Sequence, residues 1–124
     1  MIDDRQAMTV GTTLVIDKNK KYTILEEIGR GASCIVYEAC YLDNVHQKHI
    51  VRIKECYPFN MRIERKDDGA LSTISFYEKS FLDAKHKFKE AYEKNVAFKN
   101  KQGLMNLVVP ATDLYEVNHT LYVV

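Results

Sequence analysis

The sequence predicts an α+β domain: a five-stranded antiparallel sheet, one long helix, and a small hairpin inserted before that helix. Three observations lead to this prediction. Three runs rich in β-branched and aromatic residues follow one another with short polar connections, a region of helical periodicity comes next, and two more apolar runs end the sequence. At 124 residues the chain has the size of a single domain.

The first three strands of the sheet are predicted from residues 22–57. The runs YTILEEI and CIVYEACYL (Tyr22–Ile28 and Cys34–Leu42) flank two glycines and read as a hairpin. The run HIVRIKECY (His49–Tyr57) is the third strand, and Pro58 ends it because proline cannot donate to a strand ladder. The short connections make these strands an antiparallel meander.

The N-terminal residues 1–20 are predicted to form an extension that precedes the main domain, residues 21–124. Within the extension, TTLVI (Thr12–Ile16) is short and β-branched, so we expect a brief strand there, outside the five-stranded sheet. The polar segment DKNKK then follows as a turn.

The second half of the chain contains a hairpin, a helix and a further hairpin. Asp68-Gly69 is a strong turn signal between two short alternating runs. From Tyr77 to Asn100 the apolar period becomes helical, and Gly103 is expected to end the helix. The last two strands, LVVPATDLYEV and TLYVV, flank an Asn-His turn. The predicted buried stripe of the helix comprises Tyr77, Phe81, Ala84, Phe88, Ala91, Asn95 and Phe98.

Composition and charge exclude several classes of function. Lys and Arg number 18 against 17 Asp and Glu, and the resulting net charge of +1 gives no support to a nucleic-acid or anionic-membrane partner. No apolar run approaches ~18 residues, and the first residues lack a signal-peptide pattern. The three cysteines show no metal-ligand spacing, so we expect reduced thiols, a cytoplasmic location and no metal site.

A glycine pair precedes a strand lysine, and a long helix follows. Gly29, Gly31 and Val36 fit the pattern G-x-G-x-x-G-x-V, with Cys34 in the place of the last glycine. Further on, V-R-I-K ends in Lys54 and fits V-A-I-K at three of four positions. A lone glycine pair is a weak signal, but this order resembles the N-terminal lobe of the eukaryotic-like serine/threonine protein kinases over nearly the whole chain.

The resemblance implies that the glycine loop, Gly29–Cys34, covers the phosphates of ATP and that Lys54 binds them through its ammonium group. It assigns Ile28 and Val36 to contacts with adenine, although both side chains fit a core position equally well. A helix glutamate would hold Lys54: Glu93 is the first choice over Glu90, and a solvated charged face is the alternative for both. The implied ATP-binding residues are Ile28, Gly29, Arg30, Gly31, Ala32, Ser33, Cys34, Val36, Arg52 and Lys54, and the implied catalytic pair is Lys54 and Glu93.

Three features depart from the pattern of that family. Cys34 replaces a glycine, Arg52 stands where alanine packs against adenine, and aligning F-x-x-E on Phe88 puts Ala91 at the glutamate position. Arg52 could stack on the base, turn out to solvent, or fill the adenine site. Nothing near Cys34 in the sequence points to a reactive thiol, so we expect a buried, inert one. These departures leave open a pseudokinase module kept for protein interaction, or an unrelated α+β binding domain.

The sequence holds neither an H-R-D catalytic loop nor a D-F-G triplet. This chain alone is therefore not expected to catalyse, and the catalytic base and the Mg²⁺ ligands are expected in a second lobe. Because the chain stops within an apolar strand, we expect a domain cut short. The implied parent transfers the γ-phosphoryl group of Mg-ATP to a protein hydroxyl, with a protein substrate or regulator as partner. An exposed lobe surface would favour a homodimer or a strand swap near Leu121–Val124.

Overall fold

A computed structural model describes residues 3–102 and 113–124, with the side chains of the helix described through residue 95. Within those ranges eight strands and one helix follow one another. They are β1 (Thr13–Asp17), β2 (Lys20–Arg30), β3 (Cys34–Leu42), β4 (Lys48–Cys56), β5 (Glu64–Arg65), β6 (Leu71–Ser72), α1 (Ser75–Gln102), β7 (Leu114–Val117) and β8 (Thr120–Val123). The α+β class expected from the sequence is confirmed.

The main sheet has six antiparallel strands in the order β1-β2-β3-β4-β8-β7. The prediction of five strands was wrong, because the short N-terminal strand joins the sheet. Leu14 of β1 lies opposite Tyr22 of β2, and the Leu14 side chain is buried. Burying that side chain against the sheet offsets part of the cost of ordering a strand of five residues.

The sheet curls until its outer strands meet, so that it resembles a barrel. Strands β1 and β7 contact each other. The Lys20 ammonium, at the start of β2, donates a 2.7 Å hydrogen bond to the Tyr115 hydroxyl of β7 and lies over its ring. Burial and the neighbouring Tyr115 hydroxyl raise the pKa of Tyr22 to about 12. This contact leaves few unpaired strand edges exposed.

Alternate side chains of the strands point into one core, as the period of two requires. The sheet contributes apolar side chains such as Ile24, Ile35 and Ile53, each fully buried. Outside the sheet, the N-terminal segment, the β5–β6 hairpin and helix α1 close the core with Met8, Ile63, Leu71 and Phe81.

A buried carboxylate interrupts this apolar core. Glu55 of β4 is fully buried, and its oxygens accept hydrogen bonds from the Tyr37 hydroxyl at 2.8 Å, the Tyr122 hydroxyl at 2.6 Å and the Arg65 guanidinium at 2.6 Å. The Tyr37 hydroxyl in turn accepts a bond from the Met8 amide. Strands β3, β4 and β8, the β5–β6 hairpin and the N-terminal segment are therefore joined at one point.

Helix α1 packs on the sheet through its first half. Phe81 is buried and the Lys85 ammonium lies 4.6 Å from the Phe81 ring centroid and 3.3 Å from the His119 carbonyl oxygen. Farther along, Ala91 and Asn95 are exposed, although the sequence predicted them in the buried stripe. Among the described side chains of α1, Phe81 is the one that is buried, so the helix is attached near its start. Phe98 and Gly103 lie outside the residues whose side chains or positions are described.

Both predicted hairpins are confirmed. Gly69 takes a φ of 92° in the β5–β6 turn, and Asn118 and His119 take φ values of 53° and 63° between β7 and β8. These left-handed values are typical of tight hairpin turns and favour Gly and Asn. The Leu71 amide donates to the Asn118 carbonyl at 2.9 Å, which joins the two turns. In the part of the chain described, no helix has the length and apolar character needed to cross a bilayer.

Candidate functional site

The glycine loop and the strand lysine meet on one face of the sheet. In the register of the sheet, Gly29 lies opposite Val36, Val36 opposite Lys54, and Lys54 opposite Val123. Directly opposed residues of antiparallel strands project to the same face. Lys54 is exposed, and it makes no ion pair or side-chain hydrogen bond within the described residues. Its ammonium is therefore available to an anion on the face that the glycine loop borders.

The two glycines of the loop are not required by the backbone. Neither Gly29 nor Gly31 has a positive φ, and a Cβ atom built on either would meet no atom within 4 Å. The conformational freedom that a glycine loop suggests is thus unused here. What the glycines leave is open space beside the main chain, which a ligand can approach.

Hydrogen bonds hold the loop against the segment that follows β4. The Gly31 amide donates to the Cys34 carbonyl at 2.9 Å and closes the turn. The Tyr57 and Phe59 amides donate to the carbonyls of Ser33 and Ala32, at 3.0 and 2.9 Å. Because these carbonyls are bonded, the loop has a fixed course, while residues 31–33 stay exposed to solvent.

Arg30 of the loop faces away from Lys54. It lies opposite Ile35, a core residue, and its guanidinium bonds both oxygens of Glu27 at 2.6 and 3.0 Å and pairs with Asp3. The Arg30 hydrogen bond lowers the pKa of Glu27 below its usual value. The Arg30 side chain is therefore engaged elsewhere, and only its main chain is available for the ATP-binding role that the resemblance implied.

Ile28 and Val36, which the sequence left between adenine contact and core packing, are both outside the core cluster. Ile28 is 39 % exposed and Val36 is half-buried. Cys34 is also half-buried, so the expectation of a buried thiol was wrong at this position. The loop lies at the rim of the sheet, where solvent reaches one side of each residue. The apolar pair is thus free to contact a ligand.

Arg52 shares the face of Lys54 and lies directly opposite Glu38 of β3, which in turn lies opposite Glu26 of β2. Arg52 is exposed and makes no ion pair within the described residues. The guanidinium charge of Arg52 therefore has carboxylates beside it across the sheet and Lys54 beside it along its own strand. Of the three alternatives raised by the sequence, the apo geometry is the one in which Arg52 turns out to solvent.

The helix glutamates do not reach the lysine in this structure. Glu90 and Glu93 are both exposed, and no ion pair joins either of them to Lys54. Helix α1 contacts β4 and β8, so it does lie beside the lysine strand. The pairing of Lys54 with Glu93 stays a prediction, and it requires the helix or its side chains to move.

The sequence reasoning missed Glu55, the residue that fixes the position of β4. A signal was available in the alternation of the strand: Val51, Ile53 and Glu55 share one face, so the pattern places a carboxylate among core residues. Such a residue requires buried partners.

Grooves of about 320 and 330 Å³ lie along helix α1, whereas the lysine face is open. Within the described ranges, no three His, Cys, Asp or Glu side chains converge to hold a metal ion.

Comparison with known proteins gives one structural likeness. The sequence matches no model of a protein family, and no curated protein matches it. Among solved structures it is similar to PpkA-294 in its apo form, with a TM-score of 0.65 and 22 % identity. The match covers 94 % of this chain and 37 % of that one, so this chain spans little more than a third of the matched protein. The likeness shows the fold, and the described architecture matches that of a kinase N-lobe.

Proposed function

We propose that this chain is the ATP-binding N-terminal lobe of a serine/threonine protein kinase-like protein. The observation that supports the proposal best is the row Gly29–Val36–Lys54, in which a cation, an apolar side chain and an unhindered glycine share one open face. The cation would bind the phosphates of a nucleotide, the apolar side chain would contact the base, and the glycine would leave room for the phosphates.

The residues present fit the nucleotide. Because a Cβ at Gly29 or Gly31 would meet only open space, the main chain there is accessible to phosphate oxygens. Lys54 supplies a positive charge on a strand that is paired on both sides, and Ile28 and Val36 supply apolar surface for the base. Ala32, Ser33 and Cys34 complete the loop over the phosphates. Arg52 adds a second cation two residues from Lys54.

Bound Mg-ATP would supply the γ-phosphoryl group, which the parent protein would transfer to a protein hydroxyl. The role of this chain is positioning and charge neutralisation: Lys54 holds the phosphates and Glu93 orients Lys54 once helix α1 has closed. The Mg²⁺ ligands and the catalytic base belong to a second lobe. A cytoplasmic location is part of the proposal, and it is supported by the sequence, whose three cysteines show no paired spacing.

A second candidate is a pseudokinase module kept for protein interaction. Two observations favour it: Arg52, opposite Glu38, stands in the region where adenine would pack, and Lys54 has no carboxylate partner on helix α1 within the described residues. A protein substrate in the first case, or a regulatory protein in the second, would be the macromolecular partner, and self-association through the lobe surface is compatible with either.

Nucleotide titration of the chain, with and without Mg²⁺, separates the two candidates. We expect a fluorescent ATP analogue to bind, Lys54→Ala to weaken binding at least tenfold, and Lys48→Ala to leave it unchanged. Lys48 is the matched control because it is exposed on the same face of the same strand, opposite Leu42 and distant from the loop. Equal affinity of the Lys54 variant, or no binding at millimolar nucleotide, would favour the interaction module.

A further inference from the structure

Two of the three cysteines face each other across neighbouring strands. Cys34, at the end of the glycine loop, lies directly opposite Cys56, the last residue of β4. Both side chains project to the face that carries Lys54, because positions 34 and 36, and positions 54 and 56, alternate along their strands. The third cysteine, Cys40, lies opposite Ile50 and has no thiol across from it.

The hydrogen bonds around the two cysteines show which kind of cross-strand pair they form. The Cys34 carbonyl accepts from the Gly31 amide, and the Cys56 carbonyl accepts from the Thr120 hydroxyl at 2.6 Å. Both carbonyls therefore point away from the partner strand. The next pair along the ladder is bonded, with the Tyr57 amide donating to the Ser33 carbonyl. Cys34 and Cys56 thus form a non-hydrogen-bonded pair.

Non-hydrogen-bonded pairs bring the two strands closest together. Their Cα atoms lie about 4.5 Å apart and their side chains approach more closely than those of bonded pairs. A disulfide spans Cα distances of about 4.4–6.8 Å. The register of β3 and β4 therefore puts the two Cα atoms within the range that a disulfide spans, so forming the bond needs no change of strand register.

The two thiols differ in access. Cys34 is half-buried and so reachable from solvent, whereas Cys56 is fully buried beside Thr120 and near Lys85. Burial raises the pKa of Cys56 to about 12, so its resting form is the thiol. An oxidant in solution would meet Cys34 first, and Cys56 would act as the resolving partner.

We propose that Cys34 and Cys56 form a peroxide-sensitive dithiol that closes to an intramolecular disulfide between the glycine loop and the lysine strand. The Cys34 sulfur attacks one oxygen of hydrogen peroxide and the O–O bond breaks. The departing hydroxide takes the Cys34 thiol proton and becomes water, so that Cys34 is converted to a sulfenic acid. Cys56 sulfur then attacks Cys34 sulfur, the S–S bond forms, and the S–O bond breaks. The departing hydroxide takes the Cys56 proton, so that two thiols and one peroxide give one disulfide and two waters.

The disulfide would tie the end of the loop to the strand two residues beyond Lys54. It would add a covalent bond to the hydrogen bonds that already hold residues 32 and 33, and a thiol reductant would reverse it. Loop position would then depend on oxidation. The inference rests on strand register and thiol access, and it stands whether or not the chain binds a nucleotide.

Mass spectrometry of the folded chain tests the proposal. After treatment with equimolar hydrogen peroxide and alkylation of free thiols, we expect a monomer with one alkylated cysteine and a mass consistent with the loss of two hydrogen atoms. After digestion with trypsin, the disulfide would link the peptide Gly31–Lys48 to the peptide Glu55–Arg62. Because the first peptide holds both Cys34 and Cys40, chymotryptic cleavage after Tyr37 would then show which of the two is linked. Dithiothreitol should restore three reactive thiols.

Cys40→Ser is the matched control, since it removes a thiol from the same face of the same strand. It should still form the disulfide, whereas Cys34→Ser and Cys56→Ala should not. Circular dichroism shows whether the Cys56→Ala variant is folded. If it is not, the peptide map of the chain without substitutions still shows whether Cys34 and Cys56 form the disulfide. A link through Cys40, only intermolecular dimers, or sulfinic acid at Cys34 with Cys56 still alkylated would overturn the proposal.

Discussion

The Arg65 guanidinium lies 2.6 Å from the Glu55 carboxylate in a pair that solvent barely reaches, with side-chain exposures of 11 % and 0 %. Arg65 also donates to the carbonyls of Gly69 and Gln6, so one side chain ties the β5–β6 hairpin and the N-terminal segment to the main sheet. Burial of Glu55 is compatible with a folded state only because Arg65 and two tyrosine hydroxyls share its charge.

Replacing Arg65 by methionine is expected to destabilise the chain by about 3–5 kcal/mol, because it leaves the Glu55 carboxylate buried without a counter-charge. Urea denaturation followed by circular dichroism measures the change. The double variant Arg65→Met/Glu55→Gln removes both charges and should recover part of the loss. Arg62→Met, at an exposed arginine, is the control. A cost below about 1 kcal/mol for Arg65→Met would show that the pair does not hold the fold.

Helix α1 depends on Phe81 for its attachment. Phe81 is 3 % exposed and belongs to the core, whereas Phe76, in the first turn of the same helix, is 80 % exposed. We expect Phe81→Ala to cost about 3–5 kcal/mol of unfolding free energy and Phe76→Ala less than about 0.5 kcal/mol. Thermal melting of the two variants side by side gives the comparison. Similar losses in both would mean that the helix is not docked through Phe81.

Alanine substitutions at Gly69 and Gly31 are expected to have different effects on stability and on nucleotide binding. Gly69 has a φ of 92°, so Gly69→Ala strains the turn, with an expected cost of about 1–3 kcal/mol. Gly31→Ala meets open space at a negative φ and should leave the melting temperature unchanged, yet weaken nucleotide binding by narrowing the approach to the loop. Equal destabilisation by the two substitutions would contradict the description of the loop.

Alkaline pH should unfold the protein. Burial raises the pKa of Tyr22 to about 12, and burial together with the Glu55 charge raises the pKa values of Tyr37 and Tyr122 well above their usual value. Above pH 10 the unfolded chain loses tyrosine protons that the folded chain keeps. Stability is therefore full below pH 10 and falls above it, by up to about 1.4 kcal/mol per pH unit for each such tyrosine.

Urea denaturation between pH 8 and pH 11 measures this slope. Tyr122→Phe should lower stability at pH 8, since a buried hydrogen bond to Glu55 is lost. It should also make the slope above pH 10 shallower, by up to about 1.4 kcal/mol per pH unit. A variant with an unchanged slope would mean that the Tyr122 proton is not held more tightly by the folded state.

Much of the fold could be predicted from local patterns. Runs of β-branched and aromatic residues predicted the strands from Tyr22 to Tyr57. The glycine and asparagine turns predicted both hairpins, and the helical period predicted α1. The membership of β1 in the sheet could not be read, because a five-residue apolar run fits an isolated strand and an edge strand equally well. The exposure of Ala91 also depends on how far the sheet extends beneath the helix, which is a tertiary property.

The candidate site was predictable in part. Sequence order placed the glycines between the first two strands of a meander and Lys54 in the third strand, and strand alternation placed Arg52 on the same face as Lys54. The opposition of Cys34 and Cys56 was beyond the sequence, because it depends on register, and a shift of one residue would have moved either thiol to the other face. The partner of Lys54 also depends on how helix α1 is rotated, for which neither Glu90 nor Glu93 gives a local signal.

Lys54 and Glu55 are consecutive on β4, so one enters the open face and the other the interior. The main chain of Lys54 therefore cannot slide along the sheet without breaking the three bonds of the buried carboxylate. An incoming anion would meet a cation whose strand needs no further ordering. Any induced fit on this face must then come from helix α1 or the glycine loop. Substitutions that remove a hydrogen bond of Glu55 would also make the position of the Lys54 main chain less well defined.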